Sequence, residues 1–409
     1  MHLPTKTQLI YGKTARPPVA LAFTVADVAR RQTRFRDRVT FAPEINLKDY
    51  RFSALVDFIE FRVVFARRTN AQSVQKILRE FLSRDSHIVA TDIGAGSAAS
   101  VFDIRIQEPK SFALVAGIYA ALKGRFGESI EPLISKVEFS VDAYPRVPSD
   151  EARARLFAIM QRTIFPKFDF LSDARDRPRS SIGRSVQGSS DTNNRKLLPY
   201  GQQGKTDVHL WHRHEDHHAP WLDGTMYIGA EDAEVMIRLQ DKETDQRNKA
   251  ANTFLTLRER QKRVRIEVTL QGQALIDNGI FELSALRDFS FARLQGKFFQ
   301  FMLPTFPKYK ITPGSWLGAV TNCLEGYRAR GFLKSGMLGL DFMDAQRKIS
   351  IDQIQSDMRR TVGRRGVMIR GERNGTGQNR DYVAYAELSR CVATALRHLE
   401  QREANAWGR

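Results

Sequence analysis

Apolar and polar positions alternate along several short stretches of this chain, and between those stretches apolar residues recur at helical spacing. VDFIEFRVVF, at about 55–65, is rich in β-branched and aromatic residues and predicts a strand. Over 71–83 the apolar positions are Val74, Ile77, Leu78, Phe81 and Leu82, which share one helix face. VATDIGAGSAASVFDIRI, at 89–106, predicts two short strands around a Gly/Ser turn. A second amphipathic helix follows at 111–126, a strictly alternating strand, KVEFSVD, at 136–142, and a third helix at 149–163. GTMYIGAEDAEVMIRLQDK, at 224–242, reads as a strand hairpin. It is followed by an expected helix at 245–260, the strand RVRIEVTL at 263–270, and helices over much of 283–301. The order β-α-β-β-α-β-α, then β-β-α-β, predicts an α+β fold: a mainly antiparallel sheet covered by helices.

Three regions depart from that pattern. Residues 1–50 read as a loosely organised basic extension, although 17–26, PPVALAFTVA, is apolar. No charged segment leads into a long apolar run there, so it is not taken for a signal peptide. Residues 172–207, within a polar insertion at about 168–208, hold many Ser, Asn, Gly, Arg and Asp and few large apolar residues. A loop that long is usually functional or unstructured. Beyond Pro304-Thr-Phe-Pro307 the chain reads as a helical, basic C-terminal region, with helices expected at 315–331, 338–360 and 380–403. A boundary near 305–314 would divide the chain into units at 1–50, 51–305 and 306–409.

Charge changes the picture. Lys and Arg number 64 against 46 Asp and Glu, for a net charge of +18 and a pI near 10.0. Such a chain repels itself unless a polyanion neutralises it, and nucleic acid is the usual partner. Basic residues cluster at 30–38 (RRQTRFRDR), 258–265 (RERQKRVR) and 359–373 (RRTVGRRGVMIRGER), which fits a track of phosphates. No apolar run reaches the ~20 residues that span a bilayer, so no membrane role is expected. Cys323 and Cys391 stand far apart without metal-ligand spacing, which fits a reducing, bacterial cytoplasm and excludes a disulfide framework.

The candidate chemistry sits in the strands. In KVEFSVD, Val137, Phe139 and Val141 point to one face, Glu138 and Asp142 to the other. Four positions apart in a strand is roughly 13 Å, so those two acids cannot share one ion unless the strand bends between them. Glu267 shares its face of RVRIEVTL with Arg265 and Thr269. If the two strands are neighbours, Glu267 and an acid of 138–142 can converge on a divalent cation. Otherwise they are half-exposed acids paired with arginines. His209, His212, His214, His217 and His218 crowd the segment HLWHRHEDHH. They suit Mg, Mn or Zn ions, or else a solvated loop or direct phosphate contact.

Four of these segments, in order, resemble the replication initiation factor family known as Rep-trans. These proteins initiate rolling-circle replication of plasmids, some filamentous phages and integrative elements. VDFIEFRVVF resembles the family's opening strand, with Asp57 at its acidic position. KVEFSVD resembles its "Arg-x-Asp-x-Ala-x-Asp" strand, with Glu138 and Asp142 on the acids. TMYIGAEDAEVMIRLQDK resembles its "Tyr-x-Gly-Ser…Arg-x-Tyr-x-Lys" hairpin, placing Tyr227, Gly229, Arg238, Asp241 and Lys242. RVRIEVTL resembles its "Arg-x-Glu" strand, placing Arg265 and Glu267. The matches span roughly 55–270, about half the chain.

The resemblance implies a DNA nickase and replication initiator. Its metal ligands would be Glu138, Asp142 and Glu267, holding Mg or Mn, and its catalytic groups Tyr227, Arg238 and Lys242. Arg184, Arg195, Lys196, Arg263 and Arg265 would bind DNA. The expected partner is a replication origin, with or without a hairpin; a host helicase or polymerase and a second copy of the chain are further partners it allows. One departure stands out: Gln240 occupies the position of the family's nucleophilic tyrosine, and glutamine cannot form a phosphotyrosyl link. Tyr227 is the first substitute and Tyr200 the second; the third reading is a protein that binds origin DNA without cutting it.

Overall fold

In this computed structural model the described residues are 6–10, 18–28, 35, 38–94, 97–166, 185–187, 195–197, 225–228, 233–248, 253–308, 325–333, 336–341, 344, 354, 356–357 and 382–408. Arg184, Tyr200, the histidine-rich segment, Cys323 and most of the basic clusters at 30–38 and 359–373 lie outside them.

In chain order, β1 (Lys6–Ile10), β2 (Val19–Asp27) and β3 (Arg38–Pro43) lead into the long strand β4 (Tyr50–Thr69). Then come α1 (Ala71–Phe81), β5 (His87–Ala90), β6 (Ala99–Gln107), α2 (Phe112–Phe126), β7 (Glu128–Pro145) and α3 (Asp150–Thr163). The short strands β8 (Ser185–Gln187) and β9 (Arg195–Leu197) pair with each other. They precede β10 (Thr225–Ile228), β11 (Val235–Lys242), β12 (Thr244–Asn248), β13 (Thr253–Thr256) and β14 (Arg263–Gln271). The chain continues through α4 (Gln273–Asp277), α5 (Ala292–Lys297) and β15 (Met302–Pro307). Helical segments α6 at 325–333 and α7 at 336–341, β16 (Tyr382–Ala384) and α8 (Ala386–Ala406) complete the described residues.

The protein is α+β, as its periodicity predicts. Seven strands form one antiparallel sheet in the order β10-β11-β14-β7-β4-β6-β5. One face is apolar: Val137, Phe139, Val141, Val264, Ile266 and Val268 are each fully buried. Phe139 stacks on Phe289, with ring centroids 5.4 Å apart. Helix starts follow the local sequence. Asn70, Ser111 and Ser149 accept hydrogen bonds from the Ser73, Leu114 and Ala152 amides at the first turns of α1, α2 and α3. Gly127, at φ 73°, closes α2 in a conformation that side-chain-bearing residues avoid.

Two expectations are corrected. The described residues among 1–50 are mostly strands rather than loosely organised chain. In β2 the alternation of Val19, Leu21 and Phe23 buries one face, and β1, β2 and β3 join β15 and β16 in a second antiparallel sheet. That sheet crosses the expected boundary near 305–314, because β15 bonds β3 on one side and β16 on the other. Phe41 meets Phe306 and Phe332 across it. Helix α3 contacts strands of both sheets, which is why ten of its residues are buried. The helix expected at 245–260 is instead the hairpin of β12 and β13 followed by a short 3-10 turn, Glu259–Gln261. Thr244, Thr253 and Thr256 favour extended backbone, and pairing overrides the helix preference of the intervening residues. Of the expected C-terminal helices, the described part of α6 is helical at 325–333, and α8 starts at 386.

Candidate functional site

The second face of the central sheet is polar and buried. Glu138 and Asp142 stand two turns of the pleat apart on β7, with Ser140 between them. Antiparallel pairing sets Asp142 opposite Arg265, Ser140 opposite Glu267 and Glu138 opposite Thr269 on β14. Pairing with β11 then sets Arg238 opposite Glu267 and Gln240 opposite Arg265. On the other flank, the β4–β7 register shifts between Val56 and Phe58. The register of Phe52–Val56, carried one residue further, sets Asp57 alongside Glu138 on the polar face, and the bulge shifts the ladder only from Phe58 onward. Carboxylate oxygens of Asp57, Glu138 and Glu267 consequently lie within 4.8 Å of one another, on three different strands.

Four buried carboxylates, those of Asp57, Glu138, Asp142 and Glu267, share this face with the guanidiniums of Arg238, Arg263 and Arg265. Arg265, 1% exposed, is central. Its Nε and Nη2 donate to the two oxygens of Asp142 at 2.5 and 2.7 Å, and its Nη1 donates to Asp57 at 2.7 Å. Glu267 Oε1 lies 3.5 Å from the same Nη1. Arg238 donates to Glu267 and approaches Glu138 at 3.6 Å. Arg263 reaches Asp142 at 2.9 Å. Gln107 donates to Asp57 at 3.1 Å, and the Thr269 hydroxyl donates to Glu138.

These contacts separate the acids electrically. Burial, then the charges of Glu267 and Asp57, push the Glu138 carboxyl up to about 7, against the opposing pull of Arg238 and the Thr269 hydroxyl. Glu267 is equally buried, yet Arg238 and Arg265 outweigh the burial and hold it below the usual carboxylate range. Arg265 itself is held in its charged form: burial opposes the charge, and the hydrogen-bonded carboxylate of Asp142 overcomes that. The cluster therefore retains a proton on Glu138 close to neutral pH, where a second cation would otherwise balance it. Three convergent carboxylates with a surplus of negative charge make a hard oxygen donor set that could hold a metal ion.

The structure sorts the sequence-based site residues. Glu138 and Glu267 meet, as expected, but Asp142 does not join them. At its position along β7 it is taken up by Arg265, Arg263 and the Tyr144 hydroxyl, which donates to it at 3.1 Å. Asp57 takes its place in the triad. The signal for Asp57 was present in the sequence as the acidic position of the opening strand, but the pairing of that strand with β7, which sets it beside Glu138, was not. Arg238, Arg263 and Arg265 all lie at the site. Lys242 lies one strand-length further along β11, opposite Arg263, and pairs with Asp245 at 2.9 Å. Tyr227, on β10, occupies the register position opposite Arg238. Gln240 donates to Glu267 Oε1 at 3.3 Å. Arg195 and Lys196 fall on β9, outside the central sheet.

A scan against protein-family models finds no match, and a search of curated proteins finds none. Among solved structures, the chain is similar to a rolling circle replication initiator protein from Geobacillus stearothermophilus. The two are 8% identical, over 67% of this chain and 97% of that one, with a TM-score of 0.28. No helix among the described residues is long and apolar enough to cross a membrane.

Proposed function

We propose that this protein is a DNA-binding replication initiator that cuts one DNA strand at the polar face of its central sheet. The observation that carries the reading is the triad of Asp57, Glu138 and Glu267, gathered from three strands and rimmed by arginines. It agrees with the order of segments that resembles the rolling-circle initiators, and with the net charge of +18. Asp57, Glu138 and Glu267 would hold a divalent cation, Mg or Mn. When bound, such an ion polarises a phosphodiester and stabilises the charge that develops on it.

The protein's own groups have defined tasks in this reaction. Arg265 and Arg238 fix the orientation of the triad carboxylates, and Arg238, on the half-buried side, faces the phosphate. The Tyr227 hydroxyl attacks phosphorus and loses its proton. The bond from phosphorus to the 3′ oxygen breaks, and that oxygen leaves as a hydroxyl. A 5′-phosphotyrosyl protein results, which conserves the bond for later rejoining. Lys242 and Arg263, further along the same face, neutralise flanking phosphates.

A second reading follows from Gln240. Its amide donates to the triad at the position where the resemblance calls for a tyrosine. On that reading the same scaffold binds origin DNA without cutting it. One experiment separates the two: incubation with a pool of hairpin-bearing single-stranded oligonucleotides and Mn ions, followed by mapping of DNA-linked peptides. The nickase reading expects a link at Tyr227 that is lost at least a hundredfold in Tyr227→Phe and in Glu267→Gln. Tight binding with no link in the wild-type protein overturns nicking and leaves the second reading. Absence of any DNA binding removes both.

A further inference from the structure

An open cavity of about 650 Å³ adjoins the acidic triad, and its charges do not balance. Arg265 forms the partition: it bonds Asp57 of the triad on one side and Asp142, which lines the cavity, on the other. The acids lining the cavity are all engaged. Asp142 is held by Arg263 and Arg265, Asp245 by Lys242 and Glu108 by Arg84. Glu403 accepts the Phe112 amide at 2.7 Å, which ties α8 to the start of α2. Besides Arg402, which donates to the Ala54 carbonyl, three cations lining the same cavity have no carboxylate partner among the described residues: Arg51, Lys110 and Arg260. All three are exposed, and they come from three separate elements: the start of β4, the loop before α2, and the turn before β14. Arg51 lies over the Tyr144 ring, 4.8 Å from its centroid.

Unmatched cations converging from three elements on a hollow next to a phosphate-handling centre suit an anion. An aromatic ring beside them suits the flat face of a base. The volume falls within the roughly 300–1,000 Å³ of ordinary ligand pockets. We propose that this cavity holds the nucleotide next to the cleaved phosphate of a single DNA strand. Its phosphates rest on Arg51, Lys110 and Arg260, and its base lies against the Tyr144 side. The proposal rests on the function proposed above, and it defines the direction in which the strand leaves the triad: past Arg265, between β14 and α8.

The test is anisotropy of a short fluorescent single-stranded oligonucleotide, measured across a range of salt for the full chain and for the triple variant Arg51→Ala, Lys110→Ala, Arg260→Ala. These side chains are exposed and unpaired, so the variant should fold; divalent-ion-induced protection of the central sheet from hydrogen exchange checks that the triad remains intact. Binding should weaken tenfold or more. The slope of log affinity against log salt should fall by about 2.1 for three lost phosphate contacts. Unchanged affinity and slope, in a protein that still forms a tyrosine-linked DNA adduct, overturn the cavity assignment alone. A wild-type protein that neither binds nor links DNA brings down both proposals. Competition by polyglutamate as effective as that by DNA overturns the assignment to nucleic acid.

Discussion

Arg265→Met tests the electrostatic core of the site most directly. Methionine approximates the length of the arginine stem but removes every donor. In the native protein that side chain is 1% exposed and serves Asp142, Asp57 and Glu267 together. Breaking a buried ion pair from one side typically costs 3–5 kcal/mol, because the remaining charge stays buried without compensation. Here part of the compensation survives. Arg263 still reaches Asp142, Arg238 still holds Glu267, and Gln107 still donates to Asp57. The expected loss is therefore near the lower end, about 3 kcal/mol, or roughly a hundredfold in the folding equilibrium. Urea unfolding at pH 8 without divalent ions measures it. Addition of Mn should then recover more stability in the variant than in the wild-type protein, because it restores positive charge to the vacated position. At a hundred times its dissociation constant a ligand contributes about 2.7 kcal/mol. A loss below about 1 kcal/mol, or an equal response of both proteins to Mn, would refute the picture of acids compensated by Arg265.

Glu138→Gln should reverse a pH dependence. The carboxyl stands at about 7 in the folded protein against an ordinary value of 4.5, so its ionisation opposes folding as pH rises through that window. Without divalent ions the variant should match the wild-type protein near pH 4.5 and exceed its stability at pH 8, by roughly 3 kcal/mol; equal stability at both pH values sinks the assignment. Arg153→Met should cost about 3 kcal/mol in urea unfolding. That arginine is buried on α3 and bonds Asp241 and Glu243 on the sheet, as well as Asp150 at 2.9 Å; an unchanged midpoint would show that these contacts hold nothing together. Ser149→Ala removes the acceptor for the Ala152 amide at the start of α3 and should cost about 1 kcal/mol, against a negligible effect at the exposed Ser284.

The sequence by itself determined the α+β class, most of the strands and helices of residues 50–163, and the face on which the chemistry lies. The reason is local. Alternation of Val137, Phe139 and Val141 with Glu138 and Asp142 is a property of the strand alone, and buried apolar residues on one side oblige the acids onto the other. The same logic read correctly for Arg265 and Glu267 on β14. Tertiary structure decided what no local pattern encodes. Which acids meet depends on register: the pairing of β4 with β7 set Asp57 beside Glu138, while pairing opposite Arg265 withdrew Asp142 from the triad. Segments far apart in sequence also decided the first 50 residues. Their strands are completed by β15 and β16, some 260 to 380 positions later, which close their sheet, while α3 covers its face. The hairpin of β12 and β13 shows the same principle in miniature, since its extended backbone comes from pairing between its strands, which a pattern of helix-favouring residues cannot reveal.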